Sequence, residues 1–140
     1  MADETTQLRV RLVTPERTLV ETLATAVELP SRSGYLEVLY GHSPLVGELG
    51  AGDVTLHTEE GEQRYNVNWG FVEVLGDRVT ILASDALKPE EIDVKRAEEQ
   101  RERGLAAWKQ AGDREEAYDD ALRTVAEAEA KLATAGAAKH

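Results

Sequence analysis

The chain has 140 residues, 41% hydrophobic and 31% charged, with a formal net charge of −11. This is the balance of an ordinary soluble protein, one domain or two small ones, rather than a disordered chain. No apolar run approaches the roughly 18 residues of a membrane-crossing helix, no cysteine is available for disulfides or thiolate chemistry, and the acidic surplus excludes nucleic-acid binding by electrostatics.

The start, Met1-Ala2-Asp3-Glu4-Thr5-Thr6-Gln7, lacks the basic end and apolar centre of a signal peptide. The expectation is a protein that stays in the cytoplasm without inserting into a membrane. Residues 1–86 hold 6 basic and 14 acidic residues, and residues 87–140 hold 10 and 13.

From Leu8 the apolar residues alternate: Leu8, Val10 and Leu12, then Val27 and Leu29, Leu36 and Val38, Val54 and Leu56, Tyr65 and Val67, Phe71 to Leu75, and Val79 to Ala83. A period of two in short runs rich in β-branched residues predicts strands. Turn residues separate them at Pro15, Ser31 to Gly34, Gly50 to Asp53, Glu60-Gly61, Trp69-Gly70 and Gly76-Asp77. Strands at this spacing with no helix between them predict an antiparallel β-sandwich over residues 1–86.

The pattern changes over residues 87–140. Pro89-Glu90-Glu91 suits a first helical turn, and a helix is predicted from about Glu90 to Ala111, stopped by Gly112. Asp113, with Glu116 three residues on, has the spacing of a capping box for a second helix, predicted to fray at Ala135-Gly136. The result is an antiparallel two-helix hairpin. Its large apolar candidates, Val94, Leu105, Trp108, Tyr118, Leu122, Val125 and Leu132, make a thin seam.

Signals of catalysis are missing. His42, His57 and His140 are too scattered for a local metal motif, and His57 sits among polar neighbours in an expected strand, exposed to solvent. No nucleophile elbow, P-loop or dinucleotide fingerprint occurs. Neither a metal nor a cofactor is required by this reading, and no catalytic residue is assigned.

The most distinctive stretch is Gly34 to Val46, containing Gly41-His42-Ser43-Pro44-Leu45, followed by Gly52-Asp53-Val54. On its own it reads as a tight turn, with glycine permitting positive φ and proline fixing φ. Together with Val13 to Arg17, Trp69 to Val74 and Ile92-Asp93-Val94-Lys95-Arg96-Ala97, in this order and spanning nearly the whole chain, it resembles the epsilon subunit of F-type, proton-translocating ATP synthase. Two positions depart from that family's pattern. Tyr35 stands where many relatives have an acidic residue, and Tyr40 where they have proline.

The resemblance implies a non-catalytic rotor subunit, peripheral on the cytoplasmic face of the cell membrane, that couples proton flow through the membrane ring to ATP synthesis in the catalytic head. It implies three partners: the central-stalk gamma subunit, the membrane rotor ring and, through the hairpin, the catalytic head. Docking on ring and stalk would involve Ser31, Tyr35, Tyr40, Gly41, His42, Ser43 and Pro44. A nucleotide or hairpin-docking motif would comprise Ile92, Asp93, Arg96, Ala97 and Arg103. The arginine pair expected on the second helix is absent, residues 126–131 reading Ala-Glu-Ala-Glu-Ala-Lys, so ATP binding is half matched. Arg101, Lys109 and Arg123 would be inhibitory contacts of the hairpin, weakened by a second helix with 4 basic and 7 acidic residues from Asp113 onward. The alternative is a free-standing cytosolic adaptor using the same two modules as a scaffold.

Overall fold

The computed structural model describes residues 6–138. The acidic start at residues 1–5 and His140 lie outside the described residues. Seven strands come first: β1 (Leu8–Val13), β2 (Thr18–Ala24), β3 (Ala26–Ser31), β4 (Gly34–Leu39), β5 (Leu45–Thr58), β6 (Gly61–Leu75) and β7 (Arg78–Leu87). A 3-10 turn (Pro89–Glu91) and two helices, α1 (Val94–Ala111) and α2 (Glu115–Ala138), follow. Two compact units result, meeting between Lys88 and Pro89.

In the first unit the strands form one hydrogen-bonded sheet in the order β2-β1-β7-β6-β5-β3-β4. Neighbours are antiparallel except β1 and β7, which run parallel. The sheet folds over into a sandwich, bringing β2, at one edge, back against β5. Alternation supplies the core: Leu8, Leu12, Val27, Leu29, Val38, Val54, Leu56, Val67, Val72, Val74, Val79 and Ile81 are all essentially inaccessible to water.

At 14 and 15 residues, β5 and β6 are more than twice the usual strand length and run through both layers. The fold-over lies at Trp69-Gly70, with φ +52° and +123°. There the β6–β7 register passes from Asn68↔Asp85 to Gly70↔Ala83, skipping Trp69. A Cβ on Gly70 would stand 2.0 Å from the Leu82 carbonyl oxygen, so only glycine fits. The sequence reads Trp69-Gly70 and Gly50 to Asp53 as turns between strands; both lie inside strands, because a kinked strand uses the same residue types as a turn. β2 escapes the alternation rule. Its burial runs exposed, two half-buried, exposed, two half-buried, buried, the irregular pattern of an edge strand.

The second unit also corrects its prediction. Pro89 opens a separate 3-10 turn, and α1 starts at Val94 with Asp93 as its N-cap, the carboxylate accepting from the Arg96 amide at 3.1 Å. Gly112, φ +59°, ends it as expected. α2 begins at Glu115, one residue too late for Asp113 to cap it; the Arg114 carbonyl accepts its first bond, from the Tyr118 amide. The Arg114 guanidinium turns back to cover the last α1 carbonyls, Gln110 and Ala111, at 2.9 and 3.2 Å. α2 continues through Ala135 and Gly136 without fraying.

The hairpin seam is built mainly from small residues; of the large apolar candidates Val125 packs over Gly104, and Val94 and Leu132 are half-buried. Ala97, Gly104 and Ala111 of α1 are buried, and so are Ala121, Ala128 and Ala135 of α2, both sets spaced by seven. Leu105, Trp108, Tyr118 and Leu122 stay substantially exposed. Helices with small residues every seven positions approach until backbones nearly touch, and large side chains are displaced to the flanks. Gln100 adds a polar tie across the seam, donating to the Thr124 carbonyl and Glu127 and accepting from Lys131.

Candidate docking surfaces

Of the residues singled out between Ser31 and Pro44, Ser31 ends β3, Tyr35 lies on β4, the outermost strand beside β3, and Tyr40 to Pro44 form the loop that leads from β4 to β5. At the start of β4, Ser31 pairs with Gly34 (φ +128°), and the Ser31 hydroxyl donates to the Gly34 carbonyl. Arg32 reaches Glu48 at 2.8 Å. That hydrogen bond, and then the carboxylate's charge, raises the Arg32 pKa above its ordinary value. At the other end of β4, Gly41 takes φ +89°, the His42 amide donates to the Leu39 carbonyl at 3.0 Å, and His42 Nδ1 lies 2.6 Å from the Ser43 carbonyl. Tyr40, Ser43 and Pro44 are exposed and His42 half-buried. These residues gather at the two ends of an edge strand and do not converge on a pocket.

Tyr35 occupies a definite place. Its hydroxyl accepts from the Asp53 amide at 2.9 Å, and a Cβ on Gly52 would fall 2.3 Å from that hydroxyl. Tyr35 therefore lies across Gly52 on β5, closing a gap that glycine leaves open, while much of the ring faces solvent.

A second surface escaped the sequence analysis. Cross-strand pairing sets Val46 opposite Glu73 and Phe71 opposite Leu82, with Leu75 two residues along β6 from Glu73. Their neighbours Val72, Val74, Val79 and Ile81 fill the core, so alternation turns this set outward. Val46, Phe71, Leu75 and Leu82 are 73%, 55%, 60% and 49% exposed. Four large apolar side chains on three adjacent strands are the signature of a contact surface. The signal was present in Phe71-Val72-Glu73-Val74-Leu75, apolar at both parities except for one glutamate, which fits a strand covered on both faces.

In the hairpin, Asp93 is committed to its cap and Ala97 to the small-residue seam, leaving Arg96 and Arg103, seven apart, exposed along one flank of α1. Ile92 is half-buried, its amide bonded to the Pro89 carbonyl. Arg101 is half-buried; Lys109 and Arg123 are exposed. His57, expected at the surface, is half-buried between Glu28 and Glu62, at 3.5 and 4.0 Å. Among the described residues no group of acidic and histidine side chains could hold a metal ion, and no helix is long and apolar enough to cross a membrane.

Residues 7–89 match the family model of the ATP synthase delta/epsilon chain β-sandwich domain. The ATP synthase epsilon chain of Solibacter usitatus is 42% identical over 130 residues, covering 91% of this chain and 95% of the relative. That of Koribacter versatilis is 47% identical over 93 residues, 66% of this chain and 65% of its own length. Among solved structures, a chain of the Euglena gracilis mitochondrial ATP synthase superposes with a TM-score of 0.79 at 23% identity, over 99% of this chain and 85% of that one, and shows the same fold. A β-sandwich matched over its whole length, with a full-length relative carrying it into the hairpin, makes this chain a member of the ATP synthase epsilon chain family.

Proposed function

We propose that the chain is a non-catalytic subunit of the central stalk, turning with the rotor and coupling proton flow through the membrane ring to ATP synthesis in the catalytic head. The observation that carries this is the outward apolar patch of Val46, Phe71, Leu75 and Leu82, on a sandwich that belongs to the epsilon family. Such a patch on an acidic protein is costly to leave in water and fits permanent docking. In this reading the patch meets the central-stalk gamma subunit, and the β4 edge, from Ser31 and Tyr35 to Tyr40, Gly41, His42, Ser43 and Pro44, rests on the polar loops of the ring. The subunit sits peripherally on the cytoplasmic face of the membrane.

Co-purification with stalk and ring tests the proposal. A complex that lacks this chain yet remains fully coupled would sink it, and cytosolic fractionation with no stalk subunit attached would favour the adaptor alternative.

The hairpin's role in this reading is modest restraint of ATP hydrolysis. Arg101, Lys109 and Arg123, with Arg96 and Arg103, are the basic contacts available to an acidic segment of the head, diluted by the acidic surplus of α2. In this reading the motif at Ile92 to Ala97 with Arg103 binds ATP weakly or not at all. Asp93 caps α1, and residues 126–131 carry no arginine pair. ATP titrated onto the full chain should leave the amide resonances of residues 92–104 unmoved; saturable shifts there at micromolar ATP would restore the site.

A further inference from the structure

The outer face of the sandwich has a second character at its other side. Across the parallel β1–β7 pair, Arg9 stands directly opposite Arg78, and Arg11 opposite Thr80. On the far side of β1, Leu23 and Glu21 of β2 complete the same two rows. Together they line an open groove of about 440 Å³, within the ~300–1,000 Å³ range of small-molecule sites.

Three guanidinium groups in one groove is an unusual concentration here. Residues 1–86 contain six basic residues against fourteen acidic ones, and half of the six meet at this spot. The other three are engaged elsewhere: Arg17 donates to the Ala86 carbonyl, Arg32 pairs with Glu48, and Arg64 lies near Asp53 and Glu62. In the groove, Asp77 lies 3.6 Å from Arg9 Nε and Glu21 2.9 Å from Arg11 Nε. Arg78 has no ion pair among the described residues, and like charges directly opposite on neighbouring strands repel. Three of the lining residues are arginines and one, Glu21, is a carboxylate, with Asp77 beside Arg9 and Glu73 one strand beyond Thr80, so the basic groups of the sandwich are gathered here on a protein whose overall charge would otherwise turn anions away.

We propose that this groove binds a phosphate-bearing anion. Arginine presents a planar fork of donors that matches phosphate oxygens two at a time. Arg78 and Arg9, one strand spacing apart, can hold neighbouring phosphate oxygens, with Arg11 behind them. Thr80, also in the lining and directly opposite Arg11, adds a hydroxyl donor at the rim. The sheet register fixes the spacing of the three arginine backbones, and the groove belongs to the first unit and not to the hairpin motif. The phosphate could belong to a free metabolite or to a phospholipid headgroup, since both present the same oxygens to the same forks.

Two titrations at fixed ionic strength test this on the full chain. In one, pyrophosphate is added while the amide resonances of residues 9–11, 21–23 and 78–80 are followed. In the other, flotation is measured with vesicles of phosphatidylcholine alone or mixed with phosphatidylglycerol. Arg78→Gln is the informative variant, because it breaks no ion pair of the fold, and Arg32→Gln is the charge-matched control. Saturable pyrophosphate shifts that weaken roughly tenfold in R78Q and not in R32Q support a free phosphate ligand. Flotation on the mixed vesicles alone, lost in R78Q and kept in R32Q, supports a headgroup. Absence of both responses overturns the proposal, and so does equal weakening by R78Q and R32Q, which marks a diffuse charge effect.

Discussion

Gly104 of α1 and Val125 of α2 face each other so closely that a methyl group on Gly104 would lie 2.7 Å from Val125 Cγ2 and 3.1 Å from its backbone nitrogen. In an exposed helix, replacing glycine by alanine is favourable by about 1 kcal/mol. Here the sign should reverse, since overpacking costs about 1–3 kcal/mol. Gly104→Ala is expected to loosen the hairpin by roughly 1 kcal/mol and Gly104→Leu to separate the helices, read as lost hydrogen-exchange protection over residues 94–138. An Ala variant more protected than the parent would refute the close approach.

The kink at Gly70 makes a sharper demand on the first unit. Any side chain there meets the Leu82 carbonyl at 2.0 Å and a φ of +123° that L-residues avoid. Gly70→Ala should lose more than about 3 kcal/mol, seen as a large drop in the sandwich's melting temperature. Gly76, with no atom within 4 Å of its would-be Cβ and φ +62°, should tolerate alanine at about 1 kcal/mol.

Tyr35 separates a structural role from a docking one. Removing its hydroxyl in Tyr35→Phe takes away the acceptor that the Asp53 amide uses at 2.9 Å and should cost about 0.5–1.5 kcal/mol in denaturant melts, while the exposed ring keeps its surface. Tyr35→Ala should cost more and uncover Gly52. If Phe is neutral for stability, the 2.9 Å bond contributes nothing.

Placing a charge on the apolar sheet face addresses assembly. Phe71→Lys, which would face Glu48 across the strand pair, and Leu82→Lys, each made singly, alter exposed positions, so the isolated chain should melt within about 0.5 kcal/mol of the parent. Its retention in a purified stalk complex should nevertheless fall sharply, with losses of about 2 kcal/mol or more expected where an aromatic anchor is removed. Unchanged retention would move the stalk contact elsewhere.

Truncation requires a chosen cut. Ending the chain after Ala86 removes Leu87, the last residue of β7, which pairs with Asn66; ending it after Lys88 leaves the first unit whole. The chain ended after Lys88 should assemble and couple while hydrolysing ATP modestly faster than the parent. Hydrolysis rates identical to those of the intact chain would remove the restraining role.

Legibility in the sequence followed the physics of each element. Leu8, Val10, Leu12, Val27, Leu29, Val79 and Ile81 declare an inner face by alternation, and every one is buried. Thr18–Ala24 declares nothing, because an edge strand is held by pairing more than by burial. Phe71 and Leu75 fall in one apolar run with Val72 and Val74; alternation shows which residues share a face, but not that the second face is also apolar by purpose. The hairpin misled by size. Large side chains draw attention as candidates for burial, whereas Ala97, Gly104 and Ala111 signal the seam only through a seven-residue spacing that a count of hydrophobic residues passes over. Tyr35 over Gly52, and Arg9 beside Arg78, depend on pairings between strands distant in sequence, which no local pattern encodes.

The length of β5 and β6 has a mechanical meaning. In a sandwich whose layers touch only through side chains, a twisting load on one layer reaches the other by shearing oily contacts, which yield readily. Here two antiparallel strands, bonded to each other from Leu45↔Val74 to Thr58↔Gly61, pass through both layers. Load travels along peptide bonds and a hydrogen-bonded ribbon, as through a bent leaf spring, and the crossing at Gly70 is where that spring would fatigue first.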